Sequence, residues 1–200
     1  RDWSNAVRFS LPDRDVFAID ATADPPTAKP YASGVGTILF AMAVDPASGR
    51  LLVANTEARN EVRFEGPGTT AGSTVRSHLH EARVTVVERD GRVTPRRLNE
   101  HVDYARVPSP KGTADRSLAT PVALAVSADG ATTYVAAYGS GKVGVLDTRT
   151  LVDGAVRPEA SRHVELLGGC PSGLALDDAR GRLYVLTRFD DGISVVDTRA

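Results

Sequence analysis

Ser77-His78-Leu79-His80-Glu81 holds the side chains whose types and spacing come nearest to a metal site. In an extended segment His78 and His80 project to one face, a spacing that can bring two imidazoles to one ion, while Glu81 points away unless the chain turns. Copper, zinc or contact with a haem edge is the chemistry such a pair would support. The other reading is two loop histidines satisfied by water or backbone carbonyls. Asp177-Asp178 and Asp190-Asp191 could hold Ca²⁺ together with loop carbonyls, but turn chemistry and solvation account for them in the ordinary way.

Signals for other chemistries fail on particular residues. No Gly-x-Ser-x-Gly elbow occurs, and Cys170 runs straight into Pro171 with no histidine beside it, so it reads as a small core residue. It belongs to no Cys-x-x-Cys-His motif, so this segment does not attach haem covalently through one. Gly139-Ser140-Gly141-Lys142 invites a phosphate-loop reading, which fails because Val143 stands where Ser or Thr is needed and a strand follows instead of a helix. Arg89, Arg92, Arg96 and Arg97 form a candidate anion patch, without interleaved aromatic residues on which bases could stack.

Composition narrows the partners. The 200 residues carry 24 basic and 25 acidic side chains, a net charge of -1, which supplies no field for nucleic acid or an anionic membrane. Arginine outnumbers lysine 21 to 3, a bias read as GC-rich codon usage since acids balance the arginines throughout. With one cysteine there is neither an internal disulfide nor a multi-cysteine metal site. No apolar run approaches the roughly 18 residues of a membrane-spanning helix. The chain opens on Arg1 and not on methionine, so a piece of a longer protein is expected.

The elements that must position these residues repeat. Thr120 to Thr150 slides onto Cys170 to Ala200 without a gap at an offset of 50, with Pro121/Pro171, Leu124/Leu174, Tyr134/Tyr184, Val135/Val185, Val145/Val195 and Asp147/Asp197 identical. Ala41 to Asn55 falls on Gly173 to Thr187, matching at Ala43, Asp45, Ala47, Gly49, Arg50, Leu51 and Val53. Each copy reads as three strands separated by turns, the third alternating with period two as in VGVLDT. Helical periodicity is nowhere sustained over a dozen residues.

A fourth strand is expected in front of each triplet: Ser161 to Gly168 before the last copy and part of Arg92 to Val107 before the middle one. Four strands in about 50 residues is the period of a propeller blade, with the preceding strand innermost and the alternating segment outermost. His163 would then lie on an inner strand and could face a channel. The wider first spacing predicts inserted loops at about 57–81 and 103–117, with Ala82 to Glu88 as a displaced outer strand. Asp15 to Ala21 resembles the third segment of the later units, and Val7 and Phe9 suit the end of the strand before it. Residues 1–200 are thus expected to be one all-β propeller domain, or part of one, with three to four blades of four antiparallel strands.

PVALAVSADGATTYVAAYGSGKVGVLDT and PSGLALDDARGRLYVLTRFDDGISVVDT resemble the YVTN-type propeller repeat of bacterial secreted and surface proteins, close to NHL and lactonase-like propellers. Tyr134-Val135-Ala136-Ala137 and Tyr184-Val185-Leu186-Thr187 carry the resemblance, and Leu52 replaces the tyrosine in the first copy. The resemblance implies a periplasmic or extracellular bacterial protein, acting as a binding or scaffold module for a protein partner or another domain of the same polypeptide. It also leaves open a metal- or haem-dependent redox assembly, with a metal ion or c-type haem in a neighbouring domain and His78 and His80 as its first candidates here, or a lactonase-like hydrolase.

Overall fold

A computed structural model describes residues 13–59, 78–106, 108–154 and 156–199. They fold into four antiparallel sheets. The first pairs β1 (Val16–Asp20) with β2 (Thr27–Ala32). The second runs β3 (Ile38–Val44), β4 (Leu51–Ala58), β5 (His80–Val87), β6 (Val93–Arg97), each strand beside the next. The third is β7 (Pro121–Val126), β8 (Thr132–Ala137), β9 (Lys142–Asp147), β10 (Val164–Glu165), and the fourth β11 (Pro171–Asp177), β12 (Arg182–Thr187), β13 (Gly192–Asp197). Two short helices, α1 (Thr113–Arg116) and α2 (Thr148–Asp153), lie in the connections.

The repeat in sequence is a repeat in register. Leu124 stands opposite Val135 and Tyr134 opposite Val145, as Leu174 stands opposite Val185 and Tyr184 opposite Val195. A register shift follows the first residues of β3, β7 and β11 alike. Recurrent aspartates close β1, β9 and β13: Asp20, Asp147 and Asp197 each accept a hydrogen bond at 2.9 Å from the backbone N–H two residues on, at Thr22, Arg149 and Arg199. This is the local aspartate chemistry that stops a strand.

Because side chains alternate across a strand, each sheet has two apolar faces and needs a neighbour on both. Leu52, Val84 and Val86 of the second sheet meet Leu124, Val135 and Leu146 of the third in one buried cluster. On its other side the third sheet packs Ala125, Tyr134 and Val143 against Leu183 and Val185 of the fourth. Val16 and Ala32 of the first sheet pack against Val53 and Val87 of the second. The sheets therefore stack in chain order, with β7 reaching both β3 and β11.

The fourth strand is where expectation and structure part. β6 pairs with β5 and β10 with β9, so each closes the sheet before it instead of opening the one after it. VGVLDT is consequently a third strand with an edge strand outside it, and the strand expected at 82–88 is β5, which begins at His80 and ends at Val87, with β6 beyond it. β1 pairs with β2, which follows it in the chain; Val7 and Phe9 lie outside the described residues. His163, next to edge strand β10, is at the rim of its sheet and not on an inner strand. β6 and β10 are only 5 and 2 residues long, too short for alternation to announce which neighbour they join.

Candidate functional site

His78 is held from three sides. Its Nε2 lies 2.7 Å from Glu81 Oε1 and its Nδ1 3.0 Å from an Arg59 guanidinium nitrogen. Since Arg59 can only donate and the carboxylate only accept, Nδ1 is the acceptor and Nε2 carries the proton. The imidazole stacks on Tyr104 with ring centroids 3.4 Å apart and planes within 6°. Arg97 reaches Glu81 at 3.7 Å. His80 opens β5 as an exposed residue opposite Ala58. Glu81, expected to point away, is thus the residue that His78 meets. Among the described residues no group of three or more His, Cys, Asp or Glu is disposed to hold a metal ion.

Tyr104 is half-buried, and burial raises its phenol above the ordinary tyrosine range; the Glu81 charge adds to this while Arg97 and Arg59 oppose it. An extended loop carries it here from the connection between β6 and β7. Nothing in the local pattern around residue 104 announced that encounter.

The same connection forms the wall of a large recess. Leu98 and Leu118, at its two ends, are fully buried between the second and third sheets. Asn99 ties the ends together: its Nδ2 donates to the Leu118 carbonyl at 2.9 Å and its Oδ1 accepts from the Leu118 N–H at 2.8 Å. Inside the loop, Ser117 Oγ donates to the Thr113 carbonyl at 2.8 Å, and His101 Nε2 lies 3.2 Å from both of those oxygens. Ser140 Oγ accepts from the Ala119 N–H at 2.8 Å, anchoring the loop to the turn before β9.

Lys142 completes the wall. It is the first residue of β9, yet it is buried, with Nζ 3.1 Å from the Asp115 carbonyl and 3.1 Å from Glu165 Oε1. His163 Nδ1 donates to the same carbonyl at 3.1 Å, and its Nε2 is buried with no hydrogen-bond partner. Burial lowers the pKa of both His101 and His163, with the hydrogen bonds to Thr113 and Asp115 respectively working the other way. The recess beside this wall has a volume of about 960 Å³, and Tyr104, Lys111, Ser117, Ser140, Lys142 and Glu165 line it. Cationic, anionic, hydroxyl and aromatic groups on a braced backbone can bind a polar chain segment by complementary hydrogen bonds.

The remaining candidates serve the scaffold. Arg96 donates through Nε to the Leu151 carbonyl at 2.6 Å and through its terminal nitrogen to Val152, satisfying carbonyls at the end of α2. Arg92 pairs with Glu88 and Arg97 with Glu81. Three of the four arginines expected to form an anion patch thus have protein partners. Asp177 accepts from the Arg180 N–H within its own turn. Cys170 is a free, half-buried thiol.

No protein-family model matches the chain, and a search of curated proteins finds no match. Among solved structures it is similar to Kuenenia stuttgartiensis Hydrazine Synthase, with a TM-score of 0.61 and 15% identity over 86% of this chain. The match spans 47% of that chain's length. At this identity the likeness is one of fold.

Proposed function

We propose that the chain is part of a β-propeller of YVTN-like repeats that serves as a binding or scaffold module, holding a segment of a protein partner or of an adjacent domain in the recess beside α1. The observation that carries this reading is the bracing of the 98–119 connection. A loop of this length left free would lose much of its binding energy to ordering. Here Asn99, His101, Ser140 and Lys142 hydrogen-bond its backbone, so that cost is met during folding. Functional loops on rigid scaffolds are built in this way. An extracytoplasmic setting belongs to the same reading and is supported by the resemblance of the repeats.

Panning a library of random 12-residue peptides against the chain tests it. Enriched peptides are expected to lose at least about tenfold in affinity on Lys111→Glu or Glu165→Lys, two exposed substitutions on the rim of the recess. Peptides whose binding ignores both substitutions would overturn the recess as the binding surface.

A further inference from the structure

Equivalent positions of the repeat have opposite fates in the third and fourth sheets. Val143 of β9 is 0% exposed, and its counterpart fifty residues on, Ile193 of β13, is 69% exposed. Ala136 is 0% exposed against 49% for Leu186, and Val145, half-buried, corresponds to Val195 at 57%. Register puts these residues on one face, because Ile193 stands opposite Leu186 and Val195 opposite Tyr184. In the third sheet this face is the one covered by the fourth, through Leu174, Leu183 and Val185.

We propose that the outward face of β11–β13 docks a further antiparallel sheet of the same repeat, through that sheet's own counterparts of Leu174, Leu183 and Val185. The occupant follows from the repeat itself. The chain contains one solved instance of what covers this face, and the uncovered copy keeps the apolar types, with isoleucine for valine and leucine for alanine. A patch of this kind left in water is rare unless something binds it. The turn agrees, since Asp178 of the fourth sheet bonds the backbone N–H of Ala128 in the third, an inter-sheet contact that the next unit would repeat on Asp178's own turn.

A second copy of this chain fits less well. Its matching surface would be the face of β3 bearing Met42, 60% exposed where its counterpart Leu124 is 8% exposed. The first sheet already stands on that side of β3–β6, through Val16 and Ala32.

Thiol labelling of the natural polypeptide tests this, with the label located by peptide mass. Ile193→Cys and Val195→Cys are read against Val143→Cys as the buried reference and Asp90→Cys, in the exposed turn between β5 and β6, as the exposed one. Both test thiols are expected to label at least roughly tenfold more slowly than the Asp90→Cys thiol, independently of protein concentration. A benzoylphenylalanine at Val195 is expected to cross-link within the same polypeptide, to a strand–turn–strand unit of this repeat. Labelling of both thiols as fast as the exposed reference would overturn the proposal. Protection that vanishes on dilution, or a cross-link to a second copy or an unrelated chain, would overturn it too.

Discussion

Asp178 Oδ2 accepts a hydrogen bond from the Ala128 N–H at 2.6 Å, and the two residues are one repeat apart, at the same place in successive turns. The contact locks the turn of one sheet onto the turn of the next, so the translation along the sequence is also a physical coupling between units.

Asp178→Ala should lower stability by about 0.5–1 kcal/mol, the net worth of one exposed hydrogen bond to a carboxylate. Asp178→Asn, which keeps a carbonyl oxygen, should recover part of it. Urea unfolding of the three proteins measures the difference; equal midpoints would mean that the turn contact does not couple the sheets.

Leu118 and Gly144 should couple strongly. A Cβ built on Gly144 would lie 2.5 Å from Leu118 Cδ1, and Leu118 is fully buried, with little room to yield. Gly144→Ala is expected to cost about 1–3 kcal/mol by overpacking, and Leu118→Ala about 2–5 kcal/mol by leaving a cavity. The double variant should cost less than the sum, because removing the isobutyl group frees the space the new methyl needs. Strict additivity in a double-mutant cycle would contradict the packing described for the 98–119 connection.

Acid should weaken the fold through two histidines. Burial holds the folded pKa of His101 and His163 below the ordinary histidine value of about 6.5. Above that value both are neutral in folded and unfolded chains, and they contribute no pH dependence. As pH falls through it the unfolded chain takes up protons first, so stability drops until the folded pKa values are passed. His101→Gln retains a donor in the place of Nε2 and His163→Asn one in the place of Nδ1. Chemical denaturation between pH 5 and 7 should show a shallower slope in both variants, and an unchanged slope in both would rule the two histidines out as its source.

Tyr104 and Tyr134, both raised by burial, should be the late-titrating members of the five tyrosines. Burial and the Glu81 charge both raise the pKa of Tyr104, so Glu81→Gln should bring it part of the way down while burial keeps it above the ordinary range. Ultraviolet titration of the wild type, Glu81→Gln and Tyr104→Phe separates this phenol from the other four. A curve unaltered by Glu81→Gln would show that the carboxylate does not act on it.

The chain's own pattern specifies a great deal. Copies at a fixed offset, alternation in the third segment and turn residues between segments were enough to place β7–β9 and β11–β13, while most of the insertion expected at 57–81 lies outside the described residues. Asp147 and Asp197 were legible as strand stops because their bonds run to backbone two residues away. These are local properties, decided within a few residues, and local pattern records them.

What tertiary structure alone decided is every question of which neighbour. β6 and β10 carry too few residues to advertise the sheet they join. Lys142 looks like an ordinary solvated strand residue until the 113–116 turn and Glu165 close over it. His78 and His80 look like a pair, but His78 meets Glu81, Arg59 and Tyr104, residues set in place by the β4–β5 pairing and a distant connection. Val143 and Ile193 share one position in the repeat, and only the presence or absence of a packed sheet separates buried from exposed. Burial and polar pairing depend on surfaces brought together across long sequence separations, and a local pattern of residue types carries no record of them.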